Sequence, residues 1–159
     1  MAAVTADQIR QERALNLKVF ETAAVVTGQT VYLGTLLCQA PGSARVRNGA
    51  ATANYVCVGI AEELVNDSGS FLSAITGNTA GTVRVKYSWG QEALFTLITA
   101  ARTYTNINKT ALLKTNNELE GTAVGTAAVR IAVGQIVEFE TAGTVWVGIR
   151  RMGTGNAAG

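Results

Sequence analysis

From about residue 19 onward the chain runs in short stretches of alternating apolar and polar positions, interrupted by Gly and Asn at turn-like intervals. A period of two, carried by Val, Ile, Thr and Tyr, marks strands that bury one face. The pattern predicts strands over 30–38, 54–61, 82–88, 93–99, 110–115, 127–140 and 144–150, with a break at Gly134. Pro41 sits in the stretch APGS, a turn in which its fixed φ is useful. Residues 5–18, TADQIRQERALNLK, read differently. They are dense in charge and helix formers, and Thr5 is placed to cap a short helix. Their apolar residues Ile9, Leu15 and Leu17 make no continuous helical stripe, so residues 1–18 are expected to be an N-terminal arm or short helix.

The strands repeat. VGIAEE at 58–63 parallels VGQIVE at 133–138, an offset of 75 residues, and Leu36, Leu37 parallel Leu112, Leu113 at 76. GTVRV at 81–85 parallels GTVWV at 143–147 at an offset of only 62. Matches in one order point to one β unit used twice, with 13 extra residues in the first copy between Glu63 and Gly81 (75 against 62). The expected fold is all-β: two related small β-barrel or sandwich-like units packed as one body. The first spans 19–90 with an inserted loop at about 64–80, the second 91–151, and 152–159 form a flexible tail.

Alternation assigns the faces. Val83, Val85 and Tyr87 point inward, and Thr82, Arg84, Lys86 and Ser88 outward. In the second copy Val145, Val147 and Ile149 take the inward places, which leaves Trp146 where Arg84 stands, on the polar face. Either the arm or a loop covers it, or it anchors a protein–protein interface, where Trp is enriched. Glu138 and Glu140 fall outward beside inward Val137 and Phe139, which suits a strand edge kept soluble better than a carboxylate site.

Composition narrows the function. Charged residues make up 15% of the 159, net charge is +2 and no basic block occurs, so no electrostatic footprint for nucleic acid is visible. No run approaches the ~20 apolar residues of a membrane-spanning helix, and the charged N-terminus has no signal-peptide core. Histidine is absent, which removes His-based nucleophile pairs, most zinc catalysis and the commonest general base. No phosphate-binding loop or dinucleotide fingerprint is present. The chain is therefore expected not to be an enzyme, with no catalytic, cofactor or metal site and no small-molecule substrate. Cys38 and Cys57 match no metal spacing and read as two buried thiols, a disulfide requiring that they lie on neighbouring strands. The residues singled out for partner contact are Ile9, Arg10, Arg13, Leu15, Leu17 and Trp146.

Gly28, Gln29, Thr30 and Val31, the run YVCVGIAE at 55–62, GTVRV at 81–85, and Val133, Gly134 with the closing GTVWV at 143–147 together resemble tailed-phage capsid decoration (cement) proteins. The likeness covers about residues 20–151; the charged arm and the long loop after Glu63 depart from the shortest members of that family. It implies a virion structural protein on the outer surface of the head, made in the host cytoplasm. Such a protein is commonly a homotrimer and stabilises the capsid by bridging major capsid subunits. The alternative is a phage tail or baseplate accessory, or a β-sandwich glycan-binding module.

Overall fold

The computed structural model describes residues 12–13, 18–52, 54–97, 107–108, 110–120, 131–141 and 143–150. All its regular elements are strands: β1 (Glu12–Arg13), β2 (Val19–Ala24), β3 (Thr30–Tyr32), β4 (Leu36–Gln39), β5 (Val46–Asn48), β6 (Val56–Val65), β7 (Phe71–Leu72), β8 (Ala74–Thr76), β9 (Arg84–Trp89), β10 (Glu92–Leu97), β11 (Thr110–Leu113), β12 (Glu118–Glu120), β13 (Ala132–Thr141) and β14 (Thr144–Ile149). The protein is all-β. Where the helix-or-arm segment is described, at Glu12–Arg13, it is extended and pairs antiparallel with β10. Lys18 is also described; the rest of that segment and the expected tail lie outside the described residues.

Five strands close into a barrel. β10 pairs with β14, β14 with β13, β13 with β11 and β11 with β12, all antiparallel, and β12 returns to β10 in parallel through Thr96↔Glu118 and Leu97↔Leu119. A second sheet runs β2–β9–β6–β4–β5. Its outer strands meet at a parallel bridge between Val25 and Val46, where the Val26 N–H donates to the Val46 carbonyl at 2.8 Å.

Both sheets bend at the same places. Pairing passes from Leu37↔Gly59 to Cys38↔Cys57, skipping Val58, and from Ala111↔Gly134 to Leu112↔Ala132, skipping Val133. Further along, Glu62 is skipped between Ala61↔Tyr87 and Glu63↔Lys86, and Val137 between Ile136↔Val147 and Glu138↔Trp146. Such bulges add local twist and let a strand curl. Glycine is required beside each first bulge. A Cβ at Gly59 would stand 2.2 Å from the Ser88 carbonyl oxygen, and one at Gly134 only 1.7 Å from that of Gly148. Gly134 therefore does not break its strand as expected; it lets the strand pass through a backbone crossing too close for a side chain. Just past the second skipped residue of each ladder, Glu63 faces Lys86 and Glu138 faces Trp146.

Two further expectations change. The single strand over 30–38 is two, because Gly34 turns the chain at φ 77° between β3 and β4. The inserted loop at 64–80 contains strands: β7 pairs with β6, and β8 pairs with β3, burying Ile75 against the core that holds Val31. Three-residue strands leave too short a period to read.

Alternation explains the two cores. Leu37, Val58, Ala61, Val83, Val85 and Tyr87 share one with Ala23, Val25 and Val46. The other faces of β4 and β6 send Leu36, Cys38, Cys57 and Ile60 into the core of the closed barrel, with Phe95, Leu113, Leu119, Ile136, Val145 and Val147. These central strands are buried on both sides, hence their near-continuous apolar runs. Backbone bonds cross the same seam: the Leu36 N–H donates to the Asn116 carbonyl and the Gly90 N–H to that of Ile149, each at 2.8 Å.

The glycine crossings yield a test. Gly134→Ala is expected to lower unfolding free energy by at least about 3 kcal/mol, since backbone must move. Gly42→Ala, at φ 71° with open space around it, should cost only about 1–2 kcal/mol. Denaturant titration of the two variants checks the ordering.

Candidate functional site

The strongest surface feature is a hairpin. β6 runs on to Val65, turns, and returns as β7 with Leu64↔Leu72 and Val65↔Phe71 in register. The turn is held by Asn66, whose Oδ1 accepts the Ser68 N–H at 3.1 Å, the Ser68 hydroxyl at 2.8 Å and the Ser70 N–H at 2.8 Å. This Asx-type bonding, with Gly69 at φ 83°, stiffens a loop tip. The rest of the insertion is pinned as well. Thr82 donates its hydroxyl to Asp67 and takes the Asn78 amide at 2.7 Å. Arg45 donates to the carbonyls of Asn78 and Thr79, each at 2.9 Å.

On this braced frame Phe71 is 71% exposed and Leu72 45%. Phe20, on β2, is 48% exposed, but its ring already carries two cations, Lys86 Nζ at 4.8 Å and Lys18 Nζ at 5.4 Å from the centroid. These three are the exposed large apolar side chains among the described residues. The sequence reading missed them; its available signal was FL set between Ser70 and Ser73 in a turn-rich stretch.

A polar cluster ties the N-terminal strand to the junction of the two sheets. Lys18 Nζ contacts the carboxylates of Glu12 and, at 2.8 Å, Glu62, the bulge residue of β6. Ser88 donates to Glu62, and Gln91 Nε2 donates to the Ser88 hydroxyl at 2.7 Å and to Glu12 at 3.4 Å. Ser88, expected outward, is thus fully buried beneath this cluster. Burial alone would lower the Lys18 pKa, but hydrogen bonds to Glu12 and Glu62 and their negative charge outweigh it and hold the ammonium above its ordinary 10.5.

Of the residues singled out from sequence, Ile9, Arg10, Leu15 and Leu17 lie outside the described residues. Arg13 is in β1, opposite Glu92. Trp146 is not on a wet face: it is 6% exposed, and its indole N–H donates to Glu140 at 2.7 Å. Trp89 is likewise engaged, donating to Glu21 at 3.2 Å. Among the described residues no group of three Cys, Asp or Glu is placed to hold a metal ion, and no helix is long and apolar enough to cross a membrane. No family model, curated protein or solved structure matches the chain.

Two outcomes follow. Because the Lys18 pKa is raised on folding, its contribution is complete below the unfolded value and is lost as pH rises through the folded one. Lys18→Met should therefore lower the melting temperature from neutral pH to about 10, and the gap should close at higher pH, as pH-dependent melting would record. Trp146→Arg should destabilise the free protein by about 3 kcal/mol or more, since it replaces a buried ring with a charge. An unchanged denaturation midpoint would put Trp146 back on the surface.

Proposed function

We propose that the protein is a virion structural component that binds the outside of an assembled phage head and stabilises the shell by bridging major capsid subunits. The observation that carries this reading is the apolar pair Phe71 and Leu72, held out to solvent on a hairpin too well braced to fold it away. Exposed apolar groups on a rigid support mark interaction sites. A low charge content and the motif resemblance agree with a life spent in contact with other proteins.

Magnitude favours many copies over one. Burying a Phe and a Leu is worth about 3–6 kcal/mol before association costs are met. That is near or below millimolar affinity for a single contact. Repetition over a symmetric shell, with the protein itself a homotrimer, would supply the missing strength by avidity. Because it prefers the assembled shell, its binding would draw the assembly equilibrium toward that state. A glycan-binding module finds less support, because Trp146 is buried and Trp89 is half-buried with its N–H engaged.

The body is further read as two versions of one five-strand unit. β2, β4, β5, β6 and β9 correspond in chain order and sheet order to β10, β11, β12, β13 and β14. Two bulges, one crowded glycine and a parallel pairing recur at matching positions. On this register the offset falls from 75 at Gly59 and Gly134 to 60 at Lys86 and Trp146, so the first copy carries 15 extra residues, the stretch with the exposed hairpin.

The test is co-sedimentation with empty phage heads, scored with the heat stability of those heads. Wild type should pellet with the heads and raise their melting. The double variant Phe71→Asp, Leu72→Asp should bind at least about tenfold more weakly with its own fold unchanged, a loss of more than 1.4 kcal/mol per site. Absence of binding to any head would end the reading, and light scattering tests the trimer.

A further inference from the structure

The sheet β2–β9–β6–β4–β5 holds a pair of thiols that the proposed function does not use. Cys38 in β4 and Cys57 in β6 are direct cross-strand partners. Both are fully buried, and both project into the same core, which fixes their side chains on one side of the sheet. Opposed residues of antiparallel strands have Cα atoms about 4.5 or 5.5 Å apart, inside the roughly 4.4–6.8 Å that a disulfide spans. The bulge makes the pair: continued regularly from Leu37↔Gly59, the ladder would set Cys38 against Val58, whose side chain belongs to the other core. Skipping Val58 turns Cys57 to face Cys38.

We propose that Cys38 and Cys57 are a reversible dithiol–disulfide site, oxidised by a small-molecule disulfide such as oxidised glutathione, whose bond staples β4 to β6 at the seam between the two cores. In the first step the Cys38 thiolate attacks one sulfur of the small disulfide, whose S–S bond breaks to release one small thiolate. Cys57 then loses its proton to solvent, and its sulfur attacks Cys38 Sγ, expelling the second small thiolate. Two protein thiols are oxidised, and one small disulfide is reduced to two thiols. The order of attack follows from the surroundings. The Cys57 thiol's hydrogen bond lowers the Cys38 pKa, with help from Arg47 and against the effect of burial, while the same hydrogen bond and burial raise that of Cys57. Since neither sulfur reaches solvent, exchange runs through local opening at this edge of the sheet, where the three-residue strand β5 pairs with β4 beside Cys38. The reaction should accelerate in denaturant well below the unfolding midpoint.

The experiment exposes folded wild-type protein to oxidised glutathione under mild denaturant, then alkylates remaining thiols after full unfolding. Expected are loss of both thiols together, a monomer mass lower by two hydrogens and a peptide linking Cys38 to Cys57. The unfolding midpoint should rise and return on reduction. Cys38→Ser and Cys57→Ser should each keep one thiol and form no internal link; the wild-type peptide map decides if either fails to fold. Two thiols still alkylated under conditions that join them in the unfolded chain would overturn the proposal. So would a stable glutathione adduct or links between chains only.

Discussion

The whole architecture depends on two backbone crossings that admit no side chain. β6 and β13 are each ten residues long and must serve strands on both sides while a small barrel curls around them. A straight strand of that length, about 33 Å, would leave a five-stranded sheet open. Gly59 and Gly134 let the neighbouring strand's carbonyl come within a distance that any Cβ would forbid. The adjacent bulges convert that close approach into twist. Everything that distinguishes the molecule, its closure, its paired cores and the cysteine pair, follows from where these bends fall.

Bending has a second consequence, because it leaves β4 and β6 without a solvent face. Their alternate residues feed two cores, Leu37, Val58 and Ala61 one way and Leu36, Cys38, Cys57 and Ile60 the other. A unit of about 70 residues is marginal alone. Burying Leu36 and Ile60 in the neighbouring core adds roughly 3–6 kcal/mol, comparable with the stability of a whole small domain. The seam is therefore part of the fold, and the two sheets are expected to unfold together.

Much of this was legible in the sequence, because a period of two survives wherever strands run six residues or more. The inward set Val83, Val85, Tyr87 is buried as alternation requires. Repeat offsets were less secure. GTVRV and GTVWV match as letters, whereas the proposed two-unit register sets Lys86 against Trp146; a shift of two preserves parity, so the inward set is the same on either register. Bulges were invisible, since the skipped residues are Val58, Glu62, Val133 and Val137, with no composition signal of their own. The burial of Ser88 depends on side chains brought from elsewhere in the chain, Glu62 and Gln91. Period alone cannot supply that.

The stretch expected to be an inserted loop, 64–80, holds two of the three exposed large apolar side chains among the described residues. The extra segment after Val65 adds β7 and β8, completes a core with Ile75, and projects Phe71 and Leu72. An insertion that only needed to close a loop would require neither the Arg45 clamp nor the Asn66 turn, each of which orders residues at an entropic cost of about 1–2 kcal/mol apiece. That ordering is offset by hydrogen bonds worth about 1 kcal/mol each. The balance leaves no stability surplus to explain two bare apolar side chains at the tip. Exposed apolar groups on so ordered a turn are what the proposed binding rests on. On the proposed two-unit reading, the asymmetry between the halves is the feature that most directly ties the fold to the proposed shell surface.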